Sequence, residues 1–318
     1  MNLSPRSTIP LLVALMSAFL IPGPVDAALS CFGKPATLSG HGRLVGTPGD
    51  DVIVGSKRAD LIKGKGGDDL ICSRGGADAV YSGSSRDRVR AGGGSDYVLD
   101  WKGNSDRLWG GAGSDTLVIK DGVESSLFAH DQLSGGKGKD VLKGGYSEET
   151  IRGGPGADLI DGRMDHDELF GGPGQDFITG GPFIDTFYLT GDGDTVDGES
   201  PPSSDWVSYE QASGPVEIDL AEGLGGLAGD PRDSIDGVTN ITGSRFGDSI
   251  ELNGSANVVD GGAGADLIDG RKGRDWLRAE AGNDTVDGGD GRDILEGNAG
   301  TDTCLNGERH RSCEVTGP

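Results

Sequence analysis

One period dominates the apolar positions of this chain, and it is nine residues. Ile53, Ile62, Ile71, Val80, Val89 and Val98 stand nine apart, each two places after an aspartate. One extra residue before Asp106 shifts the frame, which resumes at Leu108 and Leu117. It returns at Leu142, Ile151, Ile160, Leu169, Ile178, Phe187 and Val196, and again at Ile250, Val259, Ile268, Leu277, Val286, Leu295 and Cys304. A period of nine is neither the helical 3.6 nor a plain strand alternation, so the unit itself is the structural element. Each unit divides into a six-residue turn and a three-residue strand whose middle side chain points inward, because side chains alternate across a strand. Two units make one coil of 18 residues carrying one strand in each of two parallel sheets, and units n and n+2 stack at about 4.8 Å.

The polar positions keep the same register. A unit reads G-G-x-G-x-D-x-U-x, with U apolar, as in Gly110-Gly111-Ala112-Gly113-Ser114-Asp115-Thr116-Leu117-Val118. Glycines at positions one, two and four let the backbone adopt left-handed angles and turn carbonyl oxygens toward one point. Position six is Asp throughout the three blocks except at Glu149 and Asn257. Disordered Gly-rich sequence has no reason to hold that register. The expected class is therefore all-β, a parallel β-roll solenoid in three blocks joined by short non-repeat β segments.

The boundaries follow from the frame. Residues 1–27 read as an export signal, with Arg6, an apolar run from Ile9 to Ile21, and Val25-Asp26-Ala27 as a small-residue cleavage site. Residues 28–45 form an N-terminal cap, 46–118 the first block, and 119–134 an interruption in which Asp131 and Leu133 already hold the following frame. The second block is 135–197, and 198–242 is a spacer whose Val216, Ile218 and Leu220 alternate with Glu217 and Asp219 as one strand of a hairpin. Trp206 and Tyr209 are its candidate binding patch. Residues 243–305 form the third block and 306–318 a C-terminal cap.

Composition sharpens the picture. Gly supplies 60 of 318 residues, aromatics 5%, and the formal net charge is -24. So few large apolar side chains leave a thin core to oppose the ordering cost of a Gly-rich chain. The acidity counts against nucleic acid and anionic membrane as partners, since both are polyanions, and suits cations. No segment after the signal is apolar enough to span a bilayer. Aspartate at position six is a hard anionic oxygen, and calcium takes six to eight oxygen ligands, so carbonyls and carboxylates of stacked turns suit calcium. Without metal the aspartates would form two columns of like charge, so calcium binding is expected to supply much of the folding free energy.

These units resemble the repeats-in-toxin, or hemolysin-type, calcium-binding repeats. The resemblance implies a right-handed parallel β-roll and calcium ligation by carboxylates at Asp51, Asp60, Asp69, Asp78, Asp96, Asp115, Asp140, Asp158, Asp167, Asp176, Asp185, Asp194, Asp266, Asp275, Asp284 and Asp293. The resemblance carries the ligand role most securely to Asp69, Asp115, Asp140, Asp158, Asp176, Asp266, Asp284 and Asp293. Four units depart from the pattern. Unit 82–90 keeps Asp87 but carries Arg86, Arg88 and Arg90 and reads as a coil without an ion; Phe183 stands where Gly belongs; Glu149 and Asn257 replace Asp.

Four cysteines in an exported chain suggest two disulfides. Cys304 and Cys313 are nine apart, which places both at position eight in opposite sheets; pairing them requires the last strand to bend inward, because sheets stand about 10 Å apart. Cys31 is left to pair with Cys72.

Catalytic signatures are missing from the sequence. His41, His130, His166 and His310 are scattered, and no H-E-x-x-H or G-x-S-x-G motif occurs. The sequence thus reads as a secreted, non-enzymatic calcium-binding module, extracellular and free or attached to a cell surface or protein partner. The alternatives are a hydrolase or epimerase using the roll as an auxiliary domain, for which the longest non-repeat stretch, 198–242, is short, and a calcium-dependent surface adhesin.

Overall fold

A computed structural model describes residues 29–101, 105–120, 129–199, 204–229 and 232–316. The expected export signal lies outside the described residues. The described chain is all strand and turn, wound into a solenoid with two long sheets. The first sheet has 15 strands, from Leu38–Ser39 to Arg309–Arg311, all parallel to their neighbours. The second begins at Arg43–Val45 and ends at Val315–Thr316.

Register confirms the 18-residue coil. Ile53 pairs with Ile71 and Ile71 with Val89, while Ile160 pairs with Ile178 and Ile178 with Val196 in the opposite sheet. These position-eight side chains are fully buried and form one continuous core between the sheets. The burial follows from strand alternation. A three-residue strand presents only its central side chain to the core, and its flanking residues face out.

Irregular spacings are absorbed without breaking either stack. The extra residue before Asp106 stretches one coil, so Val89 pairs with Leu108, and the longer detour before Asp131 lets Leu108 pair with Leu133. At residues 204–242 the first sheet continues through Trp206–Ser208 and Asn240–Thr242. In the second sheet, Thr195–Asp197 pairs with Asp233–Asp236, then an antiparallel meander leads through Leu224–Gly225 to Glu217–Asp219, which pairs with Ser249–Glu251. Tyr209 is wholly buried here. It is part of the core rather than of a surface patch, because its ring fills the space beside the meander and its hydroxyl donates to Asp233 Oδ2 at 2.8 Å.

Both ends are clasped. Cys31 and Cys72 form a disulfide that ties an N-terminal hairpin, Ser30–Cys31 with Lys34–Pro35, to the first sheet. Phe32 at its tip lies 4.2 Å from the Arg88 guanidinium and 4.3 Å from that of Arg90. Arg88 and Arg90 therefore face outward and hold the cap by cation–π contact. Cys304 pairs with Cys313. The means differs from the expected bent strand: the last coils shorten, Leu295 pairs with His310, and Cys313 lies in the turn after Arg309–Arg311. Shortening brings its Cα to 5.9 Å from that of Cys304.

Loop closure ranks the two clasps. The first closes a loop with a sequence separation of 41 and the second one of 9. Chain entropy then gives about 4 kcal/mol for the first and about 3 kcal/mol for the second. Cys31→Ser is accordingly expected to lower the denaturation midpoint more than Cys304→Ser; equal shifts in a urea titration would contradict this ranking.

Candidate metal centre

The turns place the position-six aspartates in two internal columns, one beside each sheet. Each aspartate is one residue short of its strand, so its side chain turns under the coil instead of out to solvent. Its backbone N–H donates to Oδ1 of the aspartate one coil on. Asp51 donates to Asp69 at 2.8 Å, Asp158 to Asp176 at 2.8 Å, Asp176 to Asp194 at 2.9 Å and Asp275 to Asp293 at 2.9 Å. One carboxylate oxygen is thus spent on the stack itself.

The other oxygen defines the candidate site. Asp69, Asp78, Asp96, Asp115, Asp140, Asp158, Asp167, Asp176, Asp185, Asp194, Asp266, Asp275, Asp284 and Asp293 all have a buried Oδ2 with no hydrogen-bond partner, though the Ser73 hydroxyl lies beside Asp78. An unpaired buried carboxylate oxygen is costly, so a repeated row of them calls for a cation. The glycine at position one keeps the space around this oxygen open. A Cβ on Gly110 would lie 2.5 Å from Asp115 Oδ2, and one on Gly171 2.5 Å from Asp176 Oδ2. At position four, Gly174 has φ +141° and a Cβ there would meet Gly156 O at 1.4 Å, so stacked turn backbones approach too closely for any side chain.

Asp51 and Asp60 are arranged differently. Thr47 N–H donates to Asp51 Oδ2 at 2.6 Å and Ser56 N–H to Asp60 Oδ2 at 2.7 Å. Where Thr or Ser replaces the second glycine, the turn closes on its own aspartate. Asp248 is held the same way by Ser244.

Electrostatics follow burial. Desolvation pushes Asp69, Asp115, Asp176, Asp185 and Asp266 up to about 7, and Asp158 and Asp275 to about 6, although the neighbouring backbone N–H works against it in each case. Carboxylates one coil away add to the rise for Asp115, Asp176 and Asp266. Asp167 is raised too, by burial and then by Glu149. Among the described residues all the donors in the columns are oxygens, and no imidazole or thiolate joins them, which suits a hard divalent cation and not zinc or copper.

The frame also left out members of these columns. Asp185 N–H donates to Asp205 Oδ1 at 2.9 Å, and Asp194 N–H to Asp233 Oδ1 at 2.8 Å. Both residues lie in the segment set aside as spacer. Their signal was local: Asp205-Trp206-Val207 and Asp233-Ser234-Ile235 each keep the D-x-U triplet although the preceding glycines stand out of register, Gly198 before Asp205 and Gly226 before Asp233.

Two stacked columns of buried carboxylates between parallel sheets define a cation-binding β-solenoid. The RTX calcium-binding nonapeptide repeat matches residues 45–80, 73–105, 81–117, 129–160, 143–178, 170–200, 234–268, 242–277 and 269–304. These matches span well over half the chain, which belongs to the family of RTX calcium-binding repeat proteins. No curated protein matches it.

Proposed function

We propose that this chain is an exported calcium-binding module whose folding is driven by calcium and which acts outside the cell as a structural or interaction element without turnover. The observation that carries this is the row of buried Oδ2 atoms without partners, set where the glycines leave room for an ion. Asp69, Asp115, Asp140, Asp158, Asp176, Asp266, Asp284 and Asp293 are the principal ligands, joined by Asp78, Asp96, Asp167, Asp185, Asp194 and Asp275. Asp51 and Asp60 contribute less, since their turns are already closed by Thr47 and Ser56. Bound calcium would neutralise the columns and supply the attraction between coils that the thin apolar core does not. Export is supported by the N-terminal signal pattern and by the two disulfides, which persist in oxidising compartments.

Equilibrium dialysis tests this reading. The purified chain is expected to take up several calcium ions, with magnesium failing to displace them at equal concentration, because magnesium demands a tighter octahedral shell and gives up water reluctantly. Uptake of no calcium at millimolar concentration would end the reading. Turnover of polysaccharide or peptide substrates by the calcium-loaded chain would end its non-catalytic part.

A further inference from the structure

The stacked units that carry Ser82 and Asp100 in place of the position-one glycine hold a second kind of carboxylate cluster. Asp100 stands at position one of its unit, where the pattern places glycine, and Asp106 follows it by six residues instead of five. A side chain at position one points toward its own unit's position-six carboxylate, as the contact between a Cβ on Gly110 and Asp115 Oδ2 demonstrates. Asp100 thereby joins Asp87 and Asp106, which stack in successive coils. One carboxylate oxygen from each of the three lies within 4.8 Å of the others, and all three residues are 0% exposed.

The hydrogen bonds that Asp87 and Asp106 accept come from the backbone of the stack. Asp69 N–H donates to Asp87 Oδ1 at 2.9 Å and Asp87 N–H to Asp106 Oδ1 at 2.5 Å, yet Oδ2 of Asp87 and Oδ2 of Asp106 are buried without a partner. Ser82, at position one of the preceding coil, donates its hydroxyl to Asp100 Oδ1. The arginines of this unit are engaged elsewhere: Arg86 with Asp68 at 3.2 Å, Arg88 and Arg90 against Phe32. Like charges this close in a dry interior are relieved by a proton or by a cation.

We propose that Asp87, Asp100 and Asp106 bind one calcium ion at a site that the nine-residue pattern does not generate. The proposal rests on the calcium-loaded roll described above. It reverses the expectation that this coil is ion-free. The lost glycines are replaced by an added ligand, and the extra residue before Asp106 accommodates it. Calcium affinity rises with the charge of the ligand set, and three side-chain carboxylates meet here, so this ion is the last to leave as free calcium falls.

The test is native mass spectrometry of the full chain at graded free calcium, comparing wild type with Asp100→Ser. Serine already occupies position one at Ser73 and Ser82, so the roll accommodates it. The variant is expected to carry one ion fewer at saturation, and the missing ion is the one wild type holds at the lowest free calcium. An unchanged ion count overturns the site. Should wild type itself hold no calcium, the reading of the whole roll fails instead. A second measurement does not depend on that variant. Terbium(III), a hard cation of similar size and higher charge, added at one equivalent to the chain at the lowest free calcium that keeps it folded, is expected to displace the ion beside Asp100 and to show tryptophan-sensitised emission through Trp101, the residue next to Asp100. Trp101→Phe, at a surface position, is expected to remove most of that emission, and undiminished emission overturns the site.

Discussion

Stripped of calcium by a chelator near pH 8, the chain is expected to lose most of its far-ultraviolet strand signal and its cooperative thermal transition. Both are expected to return when calcium is added, but not with equimolar magnesium. The cause lies in the columns. At that pH Asp69, Asp115, Asp158, Asp176, Asp185, Asp266 and Asp275 are mostly ionised, each within one coil of another carboxylate, and each has an oxygen that no protein donor reaches. Coulomb repulsion in a low-dielectric interior is strong, and the opposing core offers one Ile, Val or Leu per strand. Binding stabilises the folded state by about 2.7 kcal/mol per site at a hundredfold excess over Kd, so several sites together outweigh the stability of an ordinary domain. A chelated sample that keeps its full transition temperature would show that hydrophobic packing alone makes the chain compact.

Acid is expected to do part of calcium's work. In calcium-free buffer the folded chain should be more stable near pH 5 than near pH 8. Asp69, Asp115, Asp176, Asp185 and Asp266 titrate at about 7 in the metal-free fold, and Asp194 at about 8, against about 3.9 in the unfolded chain. A raised folded-state value means that the folded chain holds more protons than the unfolded one across this window. Their stabilising contribution is therefore complete below about pH 4 and lost as pH rises through 6 to 8. Calcium reverses the slope over the same window, since it displaces those protons and binds more tightly as they leave. Urea midpoints at both pH values, with and without calcium, check the sign. A calcium-free chain that gains stability from pH 5 to pH 8 would refute the assigned burial of these carboxylates.

Much of this architecture was legible in the residues. The apolar column, the coil length, the parallel pairing and the position-six aspartates all follow from a local rule repeated at fixed spacing. Ile53 meets Ile71 because eighteen residues of turn, strand, turn and strand return the chain to its starting point one strand spacing along. Both cysteine pairs were reachable from spacing and elimination, although the turn that holds Cys313 was not.

The order of residues is enough to specify the repeating unit: which side chain enters the core, which carboxylate enters the column, and that glycine must stand between them. Which aspartates outside the frame belong with those inside it was settled only by the way the coils stack. Asp205 and Asp233 enter the columns after detours of 20 and 39 residues, and Asp100 reaches Asp87 and Asp106 only once successive coils lie on one another. A periodic pattern encodes contacts between residues at one fixed separation. Where a loop lengthens or a residue is inserted, the separation changes, and the partner is then set by where the closed chain can pack and by which buried oxygen still needs a counter-charge.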